Sequence, residues 1–269
     1  MNYIRTVADS TAANEGLDLA VVVTACNSMR TIERCISSVR PIAATIIVVD
    51  SGSTDGTIAA CERLGAQVVH HDWEGFARQK SFALSLASKH AWVLLLDSDE
   101  SLEPDLQTGL VNAIRSVPAD TRAIAINRRL WFDGGWLRRV AFPDWVVRCG
   151  RRGALRIDDR PVHEAVEADG PVARAEGICR HDSWADAADA IKRGERYAEL
   201  GAPYRRASAF PLLPFLGSAL AIAFKQGIVR GGVLDGRRGI TVIGLFIIGA
   251  YCNHKAASAH RRRSKLAGS

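Results

Sequence analysis

The stretch Val93-Leu94-Leu95-Leu96 is apolar without a break and stops abruptly at Asp97-Ser98-Asp99-Glu100. A short uninterrupted apolar run is the mark of a strand buried on both faces, as in the interior of a parallel sheet. Open α/β sheets hold their ligands outside the carboxyl ends of their strands. Asp97 and Asp99 therefore stand where a ligand would sit. Two carboxylates one residue apart in such a place can share a hard divalent cation. Mg²⁺ takes one or two carboxylates and fills its shell with substrate phosphates and water. The plainer alternative is a polar turn in which Asp97 caps the next helix.

The residues before this stretch repeat its pattern. Leu19–Ala25, Thr45–Val49 and Gln67–His70 read as strands, the second ending at Asp50. Between them, Ile32, Cys35, Ile36 and Val39 fall at helical spacing on a segment capped by Asn27 or Ser28 and stopped near Pro41. Ser51-Gly52-Ser53-Thr54-Asp55-Gly56-Thr57 is a turn rich in capping residues, leading into a helix that Gly65 ends. Phe76 to Ser88 reads as a further helix carrying Arg78 and Lys80. Residues 19–116 thus alternate strand and helix, which predicts an α/β fold: a Rossmann-like, mostly parallel sheet with helices on both faces.

Neither a GxGxxG after the first strand nor a GxxxxGK[ST] occurs, so dinucleotide and P-loop phosphate sites are not supported. What the half-chain offers is acid at two strand ends, Asp50 and Asp97/Asp99, with cations nearby. A carboxylate at one end can accept hydrogen bonds from a nucleobase N–H or ribose hydroxyls. Lys80 is a point charge suited to phosphate, or else part of a solvated helix face. The formal net charge of +6 suits an anionic partner: nucleic acid, a phosphorylated donor or an acidic membrane surface. The six cysteines contain no CxxC pair, so neither a zinc ribbon nor a dense disulfide framework is expected, and a reduced compartment is the simplest reading. Residues 1–18 read as a flexible leader without a basic flank and apolar run, so no signal peptide is expected.

Val48-Val49-Asp50-Ser51-Gly52-Ser53-Thr54-Asp55-Gly56-Thr57, followed in order by the D-x-D of Leu96-Asp97-Ser98-Asp99-Glu100, resembles the family 2 glycosyltransferases of the GT-A fold. Gly135-Trp136-Leu137, Phe142-Pro143-Asp144-Trp145-Val146-Val147-Arg148, Val162-His163-Glu164 and Leu234-Asp235-Gly236 are similar to the subgroup that adds glucose to the lipopolysaccharide inner core. The likeness spans roughly residues 19–260. It implies inverting transfer of a hexose from a UDP-sugar, assisted by Mg²⁺ or Mn²⁺, to a lipid-linked saccharide at the cytoplasmic face of the inner membrane. Under it, Asp50 holds the uracil, Asp97 meets ribose or metal, and Asp99 binds the metal bridging the diphosphate. Thr24, Ser51, Lys80 and Arg148 complete the donor site. Many relatives carry two acids after the second strand, whereas here Asp50 is followed by Ser51.

Inverting transfer needs one general base for the attacking hydroxyl and no covalent intermediate. Asp144, Glu164 and Asp133 follow the D-x-D. Asp133 sits in Phe-Asp-Gly-Gly and reads as a turn residue. The resemblance places an acceptor-side acid near Asp144, which makes Asp144 the base and Glu164 its alternative. Trp136, Trp145, His163 and Glu164 are the acceptor-side candidates: flat apolar rings with a polar edge suit a sugar. His163 and His181 are each equally readable as structural histidines. Arginines crowd the same region, which fits an acceptor bearing phosphates. They would suit RNA as well, but no RNP, KH or zinc-knuckle pattern accompanies them, and no nucleic-acid partner is expected.

The domain reading is a catalytic unit over 19–182, with a nucleotide-sugar half at 19–116 and an acceptor half at 117–182. A helical extension at 183–260 and a basic tail at 261–269 follow. Ser183-Trp184-Ala185-Asp186 reads as a capping box opening a helix to about Leu200. Phe210 to Phe224 and Ile240 to Cys252 are strongly apolar, each shorter than the ~20 residues that span a bilayer. Lys225, Arg230, Arg237, Arg238 and Lys255 bracket them, which reads as peripheral attachment to a membrane surface; the alternative is a pair of core helices. The tail from His254 is expected to fray. Transfer to a polyprenyl phosphate or capsule repeat is the enzymatic rival, and a sugar-nucleotide-binding scaffold the non-enzymatic one.

Overall fold

The computed structural model describes residues 17–158, 165–205, 208 and 212–267. The chain opens with β1 (Leu19–Ala25), α1 (Ile32–Val39), β2 (Thr45–Asp50), α2 (Thr57–Arg63), β3 (Gln67–His70), α3 (Phe76–Leu86) and β4 (Trp92–Asp97). β1 pairs in parallel with both β2 and β4, and β2 with β3. The expected alternation is therefore the observed one. Successive residues of a strand face opposite sides, and the core divides accordingly. Val21, Val23, Ile46, Val48, Leu94 and Leu96 join Ile32, Cys35, Ile36 and Val39 of α1 on one face. Ala20, Val22, Ile47, Val49, Val93 and Leu95 meet Ala83 and Ala87 on the other. α1 starts at Ile32 rather than at Ser28, whose carbonyl accepts from the amides of Thr31 and Ile32.

After β4 the chain makes a two-residue turn, Ser98-Asp99, and enters a strand instead of a helix: β5 (Glu100–Leu102). Then come α4 (Pro104–Ser116), β6 (Ala123–Phe132), β7 (Gly135–Trp136), β8 (Asp144–Arg151), β9 (Leu155–Ile157), β10 (Val166–Ala168) and β11 (Val172–His181). The main sheet runs β3-β2-β1-β4-β8-β6-β11-β5, with β7 on β6. This order forces a curl. A flat sheet would set β5 four strand spacings from β4, roughly 19 Å. Yet β5 opens three residues after β4 closes, a reach of at most about 11 Å. The sheet folds round so that the end of β11 returns to the end of β4, and the amide of Asp182 closes it by donating to the Asp99 carbonyl (2.9 Å). α4 backs this curl at close range. A Cβ at Gly109 would stand 2.1 Å from the Glu176 carbonyl oxygen, and one at Gly177 (φ +100°) 2.3 Å from the Leu106 nitrogen. The architecture is the GT-A one expected from the sequence, mostly parallel in its first half and mixed in its second.

The remaining elements are α5 (Ala187–Gly201), α6 (Leu212–Ile222), which continues as one π-helical stretch to Val229, and α7 (Gly236–Ala267). α5 begins three residues later than the capping-box reading. Asp186 is its N-cap, accepting from the Asp189 amide, while Asp189 accepts from the amide of Ala185. α7 runs through His254, so the expected fraying there is corrected: the helix is continuous to Ala267. Val242, Ile243 and Leu245 of α7 form a third core with Phe132, Leu137, Val140 and Ala190. Asp235 fastens this region to the sheet by accepting from the amides of Arg138, Arg139 and Val140. Leu212–Val229 is helical over 18 residues and, by length and composition, apolar enough to cross a membrane, contrary to the sequence reading of two short stretches. Leu213, Leu220 and Phe224 on it are exposed.

Candidate active site

The three strand-end acids do not converge. Ala25 of β1 pairs with Asp50, and Thr24 with Asp97, so the two acids lie two strands apart, roughly 10 Å. Their side chains leave on opposite faces. Asp50 follows Ile46 and Val48 toward α2, where Oδ2 accepts from the amides of Gly52 (2.9 Å) and Ser53 (2.8 Å), and Oδ1 takes the Ser53 hydroxyl. Asp50 is buried and organises its own loop, rather than standing open to a base. Ser51 also turns inward, its amide donating to the Ala25 carbonyl (3.1 Å). Thr24 is half-buried at the tip of β1.

The rest of the 51–57 turn is joinery between the first two strand ends. Asn27, at φ +48°, accepts from the Thr54 amide and donates its own to Ser53 Oγ (2.8 Å). Asp55 accepts from the amides of Thr57 and Met29. The Ser28 amide donates to Thr57 Oγ1, and its hydroxyl bonds that of Ser98 in the D-x-D (2.8 Å). The hydroxyls and Asp55 of this motif thus set the position of the D-x-D turn.

Asp97 follows Val93 and Leu95 toward α3. There Lys80 Nζ lies 2.7 Å from Oδ1, and an Arg148 NH₂ nitrogen donates to Oδ2 at 2.8 Å. Lys80 and Arg148 are both buried. The sequence reading set these cations against a phosphate; the structure sets them against Asp97, and neither is a solvated helix face. Glu100, with no exposed surface, accepts from Arg148 Nε (3.0 Å) and from Arg128 (2.9 Å). Arg128 Nε then donates to Asp144 Oδ2 at 2.9 Å. Lys80, Asp97, Arg148, Glu100, Arg128 and Asp144 therefore form one alternating ladder of charge across α3, β4, β8, β5 and β6. Burial alone would raise the Glu100 carboxyl, but the Arg148 and Arg128 charges hold it well below its ordinary range. Asp97 is lowered in the same way, Lys80 and Arg148 outweighing desolvation.

Asp99 stands outside this ladder. Its Oδ1 is sealed from solvent and accepts no hydrogen bond among the described residues; His181 Nε2 lies 3.8 Å away and is bonded to the Ser183 hydroxyl (2.8 Å). Burial raises this carboxyl, and the charges of Asp97 and Glu100 add to the rise while His181 opposes it. A buried oxygen without a donor is costly, and a cation bound there would satisfy it. Of the two carboxylates expected to share a metal, only Asp99 has a free oxygen. No cluster of three metal-type ligands forms among the described residues. The donor set fits a hard cation whose shell is completed by a diphosphate and water.

On the acceptor side, Asp144 is partly exposed, and among the described residues only its Oδ2 is held; its amide donates to Asn127 Oδ1. Trp145, the next residue of β8, faces the opposite side of the sheet, with the Arg174 guanidinium 4.7 Å over its ring. It shares no wall with Asp144, contrary to expectation. Trp136 packs edge-on against Trp131, over which Arg180 is stacked at 3.7 Å. His163 and Glu164 lie outside the described residues. Asp133 (φ +48°) and Gly134 (φ +71°) make the hairpin turn expected of them. Sequence reasoning missed Glu100 and Arg128. Their local sequence carries no signal of this: Glu100 stands among Asp99, Ser101 and Glu103, and the burial that demands a cationic partner follows from the pairing of β5 with β11.

Comparison with known proteins supplies the family. The model of the glycosyl transferase family 2 matches residues 20–167. The lipopolysaccharide core biosynthesis glycosyltransferase LpsC of Rhizobium meliloti is 30% identical over 166 residues, 59% of this chain and 60% of that protein. An uncharacterized glycosyltransferase of Rickettsia bellii is 49% identical over 81 residues, 30% of this chain and 27% of that protein. The chain thus spans well under two thirds of these relatives. The crystal structure of glucosyl-3-phosphoglycerate synthase from Mycobacterium tuberculosis with Mn²⁺, UDP and glucosyl-3-phosphoglycerate is 27% identical, covering 48% of this chain and 50% of that one at a TM-score of 0.38. Since the matched segment runs from the start of β1 through the D-x-D turn and β8, and exceeds half of the chain, this protein belongs to glycosyltransferase family 2.

Proposed function

We propose that the protein is an inverting hexosyltransferase that moves a sugar, glucose being the one the resemblance implies, from a UDP-sugar to a saccharide of the lipopolysaccharide core. The observation that carries this reading is the contrast at the D-x-D turn: Asp97 is neutralised by Lys80 and Arg148, while Asp99 keeps a buried oxygen without a donor. The named relative in lipopolysaccharide core biosynthesis supports the acceptor class.

The donor lies across the tips of β1, β2 and β4. Thr24 and the loop shaped by Asp50 and Ser51 meet the nucleoside, and the Ser98-Asp99 turn meets the diphosphate. Asp99 would hold Mg²⁺ or Mn²⁺ there, with His181, bonded to Ser183, beside it. When bound, the cation supplies charge neutralisation to the departing diphosphate. Asp97, Lys80 and Arg148 act by fixing the turn. Asp144 is the base. Arg128 grips its Oδ2 with two nitrogens, both at 2.9 Å, which leaves Oδ1 to take the proton of the acceptor hydroxyl. As the hydroxyl oxygen bonds to the anomeric carbon, the bond from that carbon to the diphosphate oxygen breaks. The electron pair leaves with UDP. A single displacement inverts the configuration, and no enzyme-bound sugar forms.

The exposed apolar side of Leu212–Val229, with Lys225 and Arg230 beside it, supports work at the cytoplasmic face of the inner membrane on a lipid-linked acceptor. The same helix favours a second reading, transfer to a polyprenyl phosphate, because its length and composition satisfy a membrane span. The test is UDP binding with and without Mn²⁺, in wild type and Asp99→Asn, followed by product analysis with labelled UDP-glucose and core oligosaccharide. Mn²⁺ should tighten UDP binding at least tenfold in wild type and leave the variant unmoved. Metal-independent binding and unimpaired turnover in Asp99→Asn would remove the metal assignment.

A further inference from the structure

Beside the D-x-D turn, three arginines share a single carboxylate. Arg30 and Arg34, four residues apart at the head of α1, bond Asp182 at 2.6 and 2.7 Å, and Arg180 at the end of β11 bonds it at 3.2 Å. Three guanidinium charges thus meet one bonded carboxylate, with Glu103 and Asp189 acting on Arg180 and Arg30 through space. A guanidinium carries five N–H donors. Among the described residues, four of the fifteen here find acceptors: one from Arg34, one from Arg180, and two from Arg30, the second going to the Asp182 carbonyl. The Nε atoms of Arg34 and Arg180 are sealed from solvent and have no acceptor among the described residues. Burial and the Arg34 charge hold the Arg180 guanidinium below its ordinary range despite Asp182. The terminal nitrogens that Asp182 does not take are the donors a ligand can use. The side chains of Arg30 and Arg34 are each about a third exposed, at 37% and 34%, so an incoming ligand can reach them. Arg180 is stacked on Trp131, which fixes the plane of its fork before anything binds. Arginine forks of this kind match tetrahedral oxyanions.

We propose that Arg30, Arg34 and Arg180 form a seat for a phosphate group carried by the acceptor. The proposal rests on the transferase reading and adds to it a substrate class, a phosphorylated saccharide. The seat is joined to the chemistry through the backbone: the Asp182 amide donates to the Asp99 carbonyl, and His181 between the seat and the turn approaches Asp99. A phosphate there would be held against the turn that meets the donor, and would orient the attacking hydroxyl without touching the reacting atoms.

The experiment is calorimetric titration of inorganic phosphate into protein already saturated with UDP and Mg²⁺. One saturable phosphate site is expected in wild type. Arg34→Gln and Arg180→Gln should each weaken it about tenfold while leaving UDP affinity unchanged. In each single variant Asp182 keeps two arginines, and a thermal melt verifies the fold. Arg34→Lys, which keeps charge but loses the fork, should fall between wild type and Arg34→Gln. Hexose 6-phosphate should compete with phosphate, and free hexose should not. The proposal is overturned if phosphate displaces UDP, since the seat would then belong to the donor diphosphate. It is equally overturned if both glutamine variants bind phosphate as wild type does, or if glucuronate binds and hexose 6-phosphate does not. Should UDP itself fail to bind, the donor reading fails, whereas the phosphate titration run alone on the same variants still decides the seat.

Discussion

Asp99 and Glu100 are neighbours in sequence with opposite electrostatic fates. Glu100 is fully buried and bonded to two arginines, so replacing it leaves Arg148 and Arg128 short of their counter-charge. Removing one member of a buried pair costs about 3–5 kcal/mol. Asp99 is raised by burial, with no donor on Oδ1 to offset it. A carboxyl raised above its unfolded value of 3.8 weakens the fold once ionised, and that penalty is relieved as pH falls through the folded value. Asp99→Asn should therefore stabilise the protein by about 1 kcal/mol at neutral pH, or roughly 2–4 °C in melting temperature, with the gain shrinking in acid. Glu100→Gln should destabilise it by about 3 kcal/mol. Urea unfolding of both variants at pH 7 checks the signs; an Asp99→Asn protein less stable than wild type would mean that Oδ1 already has a partner.

At the scale of elements, the turn between β2 and α2 is held by Asp55, which receives the Thr57 and Met29 amides and the Thr57 hydroxyl. Desolvation is the largest single influence and pushes its carboxyl up, but these hydrogen bonds together win and hold it below the ordinary value of 3.8. Its stabilisation is thus complete above the unfolded value and is lost as pH falls through the lower folded one. Asp55→Ala should lower stability by about 1 kcal/mol at pH 7, and the gap to wild type should close below about pH 4. Melting temperatures of both proteins from pH 7 to pH 3 would show a constant offset if Asp55 had no such role. The strands and helices flanking this turn were legible because apolar runs and helical spacing are local signals. β5 was not, because a three-residue strand is defined by its partner β11, far along the chain. The same limit governs the site. The acids at the ends of β2 and β4 could be named from sequence, but which face each takes depends on register, and Asp50 and Asp97 take opposite ones. Lys80 and Arg148 looked like phosphate ligands because a cation near a strand tip gives no sign of the buried carboxylate it will meet. The Asp-Gly turn at 133–134 was legible for the converse reason, since its backbone demand is written in two adjacent residues.

Across the whole molecule, the apolar C-terminal region divides between two tasks that composition cannot separate. The first half of α7 fills a core against Phe132, Leu137 and Val140, which is the packing role. α6 and its continuation bury almost nothing: Leu213, Leu220 and Phe224 are 73%, 72% and 62% exposed, and Leu216 and Ile228 join them at helical spacing. An apolar stripe of this size is rare on a monomeric surface and marks an interaction face. Lys225 and Arg230 stand at its end, and the Asp235 clasp on residues 138–140 ties the following turn to the catalytic sheet. The face is thereby fixed in orientation relative to the D-x-D turn. If it docks on a bilayer, binding should depend on both apolar area and lipid charge. Leu216→Ser, Leu220→Ser and Phe224→Ser together remove about 2 kcal/mol or more of apolar transfer. They should abolish co-sedimentation with vesicles containing anionic phosphatidylglycerol. UDP binding should be unchanged, because none of the three approaches the strand tips. Wild type should bind neutral phosphatidylcholine vesicles more weakly and lose anionic binding partially in high salt, as charge attraction is screened over about 10 Å at 0.1 M. A triple variant that still sediments with anionic vesicles would place the membrane contact elsewhere on the chain. One that turns from oligomer to monomer in solution would instead assign this stripe to contact between copies of the protein.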